Sequence, residues 1–307
     1  MSNFKNRDII SIKELDETDI LHVLKHAESL KKNPKHDLLG GQVMGSCFFE
    51  PSTRTRLSFE TAMQRLGGRV VGFADPNMTS TSKGETVYDS IKIIGQYVDV
   101  IAMRHPLEGA ARRAAEATDK PILNGGDGAN QHPTQTLLDL FTIKECQKKL
   151  NNLTIAMVGD LKYGRTVHSL AQAMVHFSPT FYFVAPDFLQ MPPSILDELR
   201  DAGIKFFLKN TLQEVISKVD VLYMTRIQKE RFSDISEYEK AKNLYILDTP
   251  LLKKVKPNMR ILHPLPRVNE IAPCVDDTPY AYYFQQAKNG LYVRQALLGL
   301  VLGKLAS

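Results

Sequence analysis

Residues 43–68 read VMGSCFFEPSTRTRLSFETAMQRLGG, and the reading of this stretch decides the kind of fold. Its opening, Val43–Phe49, is a short apolar run of the length a buried strand requires. From Ser52 to Leu66 the apolar period changes. Phe59, Ala62, Met63 and Leu66 fall on one face of a helix, which Gly67-Gly68 then closes. A strand that runs through a short polar turn into a helix is the repeating unit of a parallel sheet.

The same rhythm continues on both sides. Residues 16–31 predict a helix, with Ile20, Leu24 and Ala27 at i, i+4 and i+7 and either Asp16 or Thr18 as its cap. Strands are expected at Arg69–Ala74, Asp99–Met103 and Pro121–Leu123, and helices at Thr86–Tyr97, Glu108–Ala117 and Pro133–Lys144. After Asn151-Asn152 the series restarts. Leu153–Val158, Thr180–Val184, Ile204–Leu208, Val219–Met224, Leu244–Leu247 and Arg260–Leu262 are strand-like, with helical patterns such as Val167–Phe177 and Ile195–Ala202 between them. This alternation predicts an α/β protein of two domains, each a mainly parallel sheet flanked by helices and joined by right-handed crossovers. The expected division is residues 1–145 and 146–307, with a last helix at about 281–303 that returns to the first domain.

Bulk composition narrows the class. The 307 residues are 43% hydrophobic and 24% charged, as in a soluble globular protein. The N-terminal MSNFKNRDIISIKELDETD is polar from the start, and no apolar stretch approaches the ~20 residues of a membrane helix. Neither a secretory signal nor a membrane partner is expected, and the cytoplasm is the expected address. Cys47, Cys146 and Cys274 are widely spaced and outside any CxxC, which argues against a disulfide framework and a zinc site. The net charge of +5 has two readings, incidental surface charge or anionic substrates. Nucleic acid fits less well, because the basic residues are scattered and not interleaved with aromatics.

The polar motifs stand where strands end, the edge at which open parallel sheets bind ligands. After Val43–Phe49 come Glu50, Pro51, Ser52, Thr53, Arg54, Thr55 and Arg56. Hydroxyls of Ser52, Thr53 and Thr55, the unpaired N–H groups of a first helical turn and the Arg54 guanidinium together suit a phosphate dianion. Simple N-capping would explain one of these hydroxyls, but not two arginines beside three of them. Arg104-His105-Pro106 follows the next strand; Arg104 can present its fork to a ligand or sit in a structural ion pair. In Gly125–Gln135, Pro133 at the first helical position makes His132 the expected N-cap and brings Gln135 to the same helix start. A histidine there can be a cap, a core group or a substrate ligand; the glycines before it favour the ligand. In the second half, Arg165 and Arg226 each follow a strand. They could clamp a dicarboxylate, one guanidinium per carboxylate, or take part in ordinary surface ion pairs.

Taken together, PSTRTR at 51–56, MRHP at 103–106, NQHPTQ at 130–135 and HPLPR at 263–267 resemble the carbamoyltransferase superfamily, over residues 7 to 303 or so. DLKYGRT at 160–166 and TRIQKERF at 225–232 are similar to the branch that uses L-aspartate. The ornithine branch has a cysteine where this chain has Pro264, and a serine–methionine–glycine segment where it has Thr225-Arg226.

The resemblance implies an active site in the cleft between two domains, with no metal or cofactor and no covalent intermediate. It implies that Ser52, Thr53, Arg54 and Thr55 hold the phosphate of carbamoyl phosphate, while Arg104, His132 and Thr55 grip its carbonyl oxygen. Gln135 and the backbone carbonyls of Leu265 and Pro266 would hold the carbamoyl amide, across a cis Leu265–Pro266 bond. Arg165, Arg226 and Gln228 would bind L-aspartate. Lys83, which by itself reads as a solvated loop lysine, would reach the active site of an adjacent subunit in a homotrimer; Ser80 and Ser82 are both candidates for a substrate contact beside it. A separate regulatory chain is a further partner left open. The competing readings are a carbamoyltransferase for L-ornithine, a nucleotide-binding module and a silent scaffold. The nucleotide reading lacks both G-x-x-x-x-G-K-S/T and G-x-G-x-x-G.

Overall fold

Asp16, and not Thr18, starts the first long helix. Its side chain accepts the Asp19 N–H at 2.8 Å at the head of α1 (Glu17–Lys32). Acidic residues in the first turn and Lys31 and Lys32 in the last complement the helix dipole, and Ile20, Val23, Leu24, Ala27 and Leu30 form its buried face. The structure, a computed structural model, describes residues 3–75, 77, 79–227, 238 and 242–306. Gln228, expected to bind substrate, lies outside these residues, as do Met78 and Lys229, Glu230 and Arg231.

The strand and helix read from residues 43–68 are β1 (Val43–Phe48) and α2 (Arg54–Arg65). Gly67 N–H bonds the Gln64 carbonyl and Gly68 N–H the Met63 carbonyl, each at 3.0 Å, with Gly67 at φ +84°. This paired closure consumes carbonyls that the helix end would otherwise leave open. The series continues through β2 (Arg69–Phe73), α3 (Val87–Ile94), β3 (Val100–His105), α4 (Ala110–Ala115), β4 (Ile122–Asp127) and α5 (Pro133–Gln147). It resumes with β5 (Thr154–Val158), α6 (Arg165–Met174), β6 (Thr180–Val184), α7 (Pro193–Asp201), β7 (Lys205–Lys209), β8 (Val221–Met224) and β9 (Arg260–Leu262). A helix at Tyr283–Val301 ends the chain.

Leu244–Leu247 is not the strand its alternation suggests. Tyr245 and Leu247 are buried while Leu244 and Ile246 are exposed, but Leu247 makes only an isolated parallel bridge to Ile271. The pattern records burial on one side of an extended segment, without the neighbouring ladder that makes a strand.

Two sheets result, with strand orders β2-β1-β3-β4 and β7-β6-β5-β8-β9, and every pair in them is parallel. Central strands are buried on both faces, as parallel sheets covered by helices must be: β8 is buried at every position and β1 at all but its first. The edge strands β2 and β7 depart from this, whereas the edge strand β4 is buried throughout. Val71 on β2 is 51% exposed and Leu208 on β7 is 46% exposed. The chain divides into two compact units, Met1–Phe141 with Lys288–Ser307, and Thr142–Ala287, so it crosses between them inside α5 and inside the last helix. The first has a core that includes Cys47, Ile91, Ile101, Met103 and Ile122; the second includes Val158, Leu222, Met224, Leu247 and Ile261. Among the described residues no helix is long and apolar enough to cross a membrane.

Candidate active site

In the first unit the chain leaves β1 toward β2 and leaves β3 toward β4, on opposite sides, so the crevice beyond β1 and β3 is a topological switch point. Phe48 is in register with Arg104, and the Phe49 N–H donates to the Arg104 carbonyl at 2.9 Å, which ties the two strand ends together. Beyond β1, Ser52 is half-buried, Thr53 and Arg54 are exposed, and Thr55 is buried. Thr53 occupies the N-cap position of α2, but its hydroxyl makes no capping bond. Simple capping therefore does not account for the hydroxyls.

Opposite Arg104 the β3–β4 register slips: Met103 pairs with Asn124 but His105 with Asp127, so Gly125 and Gly126 together face one residue. The bulge brings the Gly125 carbonyl to Arg104 Nη1, which donates to it at 3.3 Å. A Cβ on Gly125 would stand 3.2 Å from Thr55 Cγ2 and 3.0 Å from the Met103 carbonyl oxygen, so α2, β3 and β4 meet there with little room to spare. Arg104 Nε donates to Glu50 Oε1 at 2.6 Å; the structural ion pair is real, and it joins the two motifs on either side of the switch point.

The loop after β4 is built around the buried carboxylate of Asp127, which accepts from Asn124 Nδ2, Gln131 N–H, Asn130 Nδ2 and Gly109 N–H. At the head of α5 the His132 carbonyl accepts from the Gln135 and Thr136 N–H groups. The ring is buried, and its Nε2 stands 3.5 Å from Thr55 Oγ1. Gln135 Nε2 donates to Asp139 Oδ1 at 2.9 Å, one turn further along the helix. Thr55, Arg104, His132 and Gln135 thus belong to one neighbourhood, with Ser52, Thr53 and Arg54 at the adjoining helix start. Lys83 ends an exposed 3-10 turn, Ser80–Lys83, and the Ser82 hydroxyl in it donates to the Thr79 carbonyl.

The second unit repeats the device. From β5 the chain proceeds to β6 and β7 on one side, and β8 and β9 lie on the other, which makes β5/β8 the switch point. Val158 pairs with Met224 and Tyr223 with Leu262, so the segments carrying Arg165, Arg226 and His263 leave from adjacent strands. Gly159, at φ +117°, permits the close approach: a Cβ there would fall 2.4 Å from the Thr225 carbonyl oxygen. Arg165 opens α6 and Arg226 follows Thr225; both are half-buried.

After β9 the chain makes a tight, fixed loop. Leu265 has φ +57°, a conformation costly for a branched side chain, and the Leu265–Pro266 peptide is cis. The Leu265 N–H donates to His263 Nδ1 at 2.8 Å, which leaves the ring proton on Nε2 to be donated to Glu270 Oε1 at 2.7 Å. Glu270 Oε2 in turn accepts the N–H groups of Val268 and Asn269, each at 3.1 Å. Burial acts to raise the Glu270 carboxyl, but the hydrogen bond from His263 and the backbone N–H groups prevail and hold it below its ordinary value. Its contribution to stability is therefore complete above the unfolded value near 4.5 and is lost as pH falls through the lower folded value. Glu270→Gln is expected to cost about 1–3 kcal/mol in unfolding free energy at neutral pH. Chemical denaturation should show the gap between variant and parent closing as pH falls below 4.5; a gap that persists undiminished in acid would contradict the role given to this carboxylate.

Glu50, Asp139 and Glu270 hydrogen-bond Arg104, Gln135 and His263 respectively, and none was among the expected site residues. Only Asp139 had a usable signal, its i+4 spacing from Gln135 on a helix. Burial pushes the thiols of Cys47 and Cys146 up to about 12, so neither is a thiolate near neutral pH. Among the described residues no three His, Cys, Asp or Glu side chains gather as a metal site requires.

The chain is similar to known proteins along its length. Residues 7–145 match the aspartate/ornithine carbamoyltransferase carbamoyl-P binding domain, and residues 151–301 match the Asp/Orn binding domain of the same family. The aspartate carbamoyltransferase catalytic subunit of Parabacteroides distasonis is 57% identical over 300 residues, covering 97% of this chain and 98% of its own. That of Chromobacterium violaceum is 58% identical over 298 residues, with 97% and 98% covered. Among solved structures, aspartate transcarbamoylase from Trypanosoma cruzi in complex with carbamoyl aspartate and phosphate superposes with a TM-score of 0.93 at 40% identity, covering 98% of each chain. Two domain matches in series, and relatives more than half identical along nearly the whole length, make this chain a member of the aspartate/ornithine carbamoyltransferase family.

Proposed function

We propose that the chain transfers the carbamoyl group of carbamoyl phosphate to the α-amino group of L-aspartate, giving N-carbamoyl-L-aspartate and phosphate, a step of de novo pyrimidine synthesis. The observation that carries this reading is the gathering of Thr55, Arg104, His132 and Gln135 around an arginine- and hydroxyl-bearing helix start at one switch point. The residues match what the reaction demands. Ser52, Thr53, Arg54 and Thr55 take the phosphate; Arg104, His132 and Thr55 stabilise the oxyanion that forms as the amine adds to the carbamoyl carbon. Gln135 and the carbonyls of Leu265 and Pro266 take the carbamoyl amide. Catalysis is then orientation plus fixed positive charge, with no covalent intermediate on the protein. His132 polarises the carbonyl as a hydrogen-bond donor and needs no charge to do so.

Aspartate is favoured over ornithine by Arg165 and Arg226, which follow the adjacent strands β5 and β8 and, with Gln228, suit a dicarboxylate. Two guanidiniums would repel ornithine's cationic side chain. Residues 1–145, together with the returning last helix, are accordingly assigned to carbamoyl phosphate, and the rest of 146–307 to aspartate. The test is product identification with labelled carbamoyl phosphate and each amino acid. Carbamoyl-aspartate alone is expected; citrulline would keep the family and overturn the assignment of Arg165 and Arg226.

The working form proposed is a cytoplasmic homotrimer in which Lys83 of each chain completes a neighbour's site. Support comes from the exposed turn that carries Lys83, which follows the uncovered edge strand β2 in the chain, while the relatives' designation as catalytic subunits is consistent with a separate regulatory partner. Mixed assemblies of Lys83→Ala and Arg54→Ala chains, each inactive alone, should recover activity, because some sites then receive neither substitution. No recovery after verified subunit exchange would rule out sharing.

A further inference from the structure

Arg294, on the last helix, is 3% exposed, an unusual place for a guanidinium. Its surroundings are specific. Nη2 donates to Thr134 Oγ1 at 3.2 Å, and the guanidinium carbon lies 4.9 Å from the centre of the Phe59 ring. Room for it is left by Gly290, where a Cβ would stand 2.4 Å from Nη1. Burial pushes the guanidinium down to about 9, with the charge of Asp139 acting against that shift, so it remains cationic at neutral pH. Thr134 and Asp139 belong to α5, the helix of Gln135, and Phe59 lies one turn beyond Thr55 on α2. Arg294 therefore touches both helices whose starts carry the carbamoyl phosphate residues, yet itself is not among those residues.

Asp139 is fully buried and Gln135 Nε2 donates to it at 2.9 Å. An ionised carboxylate only accepts hydrogen bonds, so it must face the amide nitrogen and leaves Gln135 Oε1 as the group for another partner. A carbamoyl –NH2 needs an acceptor; a flipped glutamine would offer it a donor instead. The charge of Asp139 acts on the buried Arg294 guanidinium, which is the compensation that a charge buried in this way requires. We propose that Arg294 and Asp139 are positioning residues that fix the amide of Gln135 with its Oε1 available to the carbamoyl –NH2, and so select the productive orientation of carbamoyl phosphate. This rests on the assignment of Gln135 to the carbamoyl amide.

Kinetics with both substrates varied tests it, using Gln135→Ala, the paired replacement Asp139→Leu/Arg294→Met, and all three together. Replacing both members of a buried charge pair by apolar residues is tolerated far better than removing one, and thermal melting checks that the variants fold. Gln135→Ala and the paired variant should each lose about 10–100-fold in kcat/KM for carbamoyl phosphate, with KM for aspartate little changed. The triple variant should be no worse than Gln135→Ala, since the pair acts through that residue. If Gln135→Ala keeps the parental rate, its assignment to the carbamoyl amide fails and the proposal with it. If Gln135→Ala is impaired but the paired variant is not, or if the losses multiply in the triple variant, the positioning role alone is wrong. Should the paired variant not fold, Asp139→Asn replaces it. An asparagine can donate to Oε1 as readily as accept from Nε2, so a several-fold loss confined to carbamoyl phosphate is expected, and an unchanged rate overturns the proposal.

Discussion

Arg54→Ala and Arg104→Ala should each lower kcat by about 100-fold or more, the loss typical when a fixed donor to a developing anion is removed. The two substitutions act on different charges. Arg54 opens α2, where the first-turn N–H groups and the helix dipole already favour an anion, so its loss removes the largest charge at a place otherwise prepared for phosphate. Arg104 stands between Glu50 and the Gly125 carbonyl, and its side chain is 18% exposed. Its removal costs the oxyanion a partner and also releases Glu50, which then brings an uncompensated negative charge to the same crevice. For that reason Arg104→Lys should restore little: lysine keeps the charge but cannot reproduce the fork that reaches both partners. Steady-state kcat with both substrates saturating is the measurement. A variant that turns over within a few-fold of the parent would remove that arginine from the chemistry.

Arg165→Ala and Arg226→Ala should act on the other substrate. Each guanidinium is assigned one carboxylate of aspartate, and loss of a charge-assisted hydrogen bond of this kind is worth about 1.5–3 kcal/mol, or roughly 10–150-fold in kcat/KM for aspartate. KM for carbamoyl phosphate should move little, because these arginines belong to the β5/β8 switch point and not to the one built from β1 and β3. Initial rates over a grid of both substrates separate the two effects. Equal loss against both substrates would mean that the arginines serve the fold or the phosphate, and not the acceptor.

The parts of this account that were legible in the sequence share a physical reason. The change of apolar period between Phe49 and Phe59, closed by two glycines, is a local signal, and the strand–helix series follows from repeating it. Chemistry-bearing residues placed directly after strands are legible for the same reason, since a parallel sheet delivers its strand ends to one edge. What local pattern does not carry is pairing in space. Glu50 and Arg104 are far apart in the chain and meet because β1 and β3 are neighbours. Glu270 reaches back to His263 around a loop whose conformation no periodicity announces. Arg294 interrupts an apolar helix in a way that reads as a solvated charge until Phe59, Thr134 and Asp139 are placed around it. Leu244–Leu247 fails in the opposite sense: alternating burial mimics a strand where only one bridge forms.

The central claim is that each switch point receives one half of the substrate pair. Calorimetric binding of N-(phosphonacetyl)-L-aspartate, a ligand of the Trypanosoma cruzi relative, tests it most directly, because that molecule joins a phosphonate to an aspartate. The parent chain should bind it tightly. Arg54→Ala should weaken it and should also weaken inorganic phosphate; Arg165→Ala should weaken it and leave phosphate binding unchanged. Affinity of the analogue that survives either substitution, or phosphate binding that falls with Arg165 and not with Arg54, would contradict the division of the site between the two sheets.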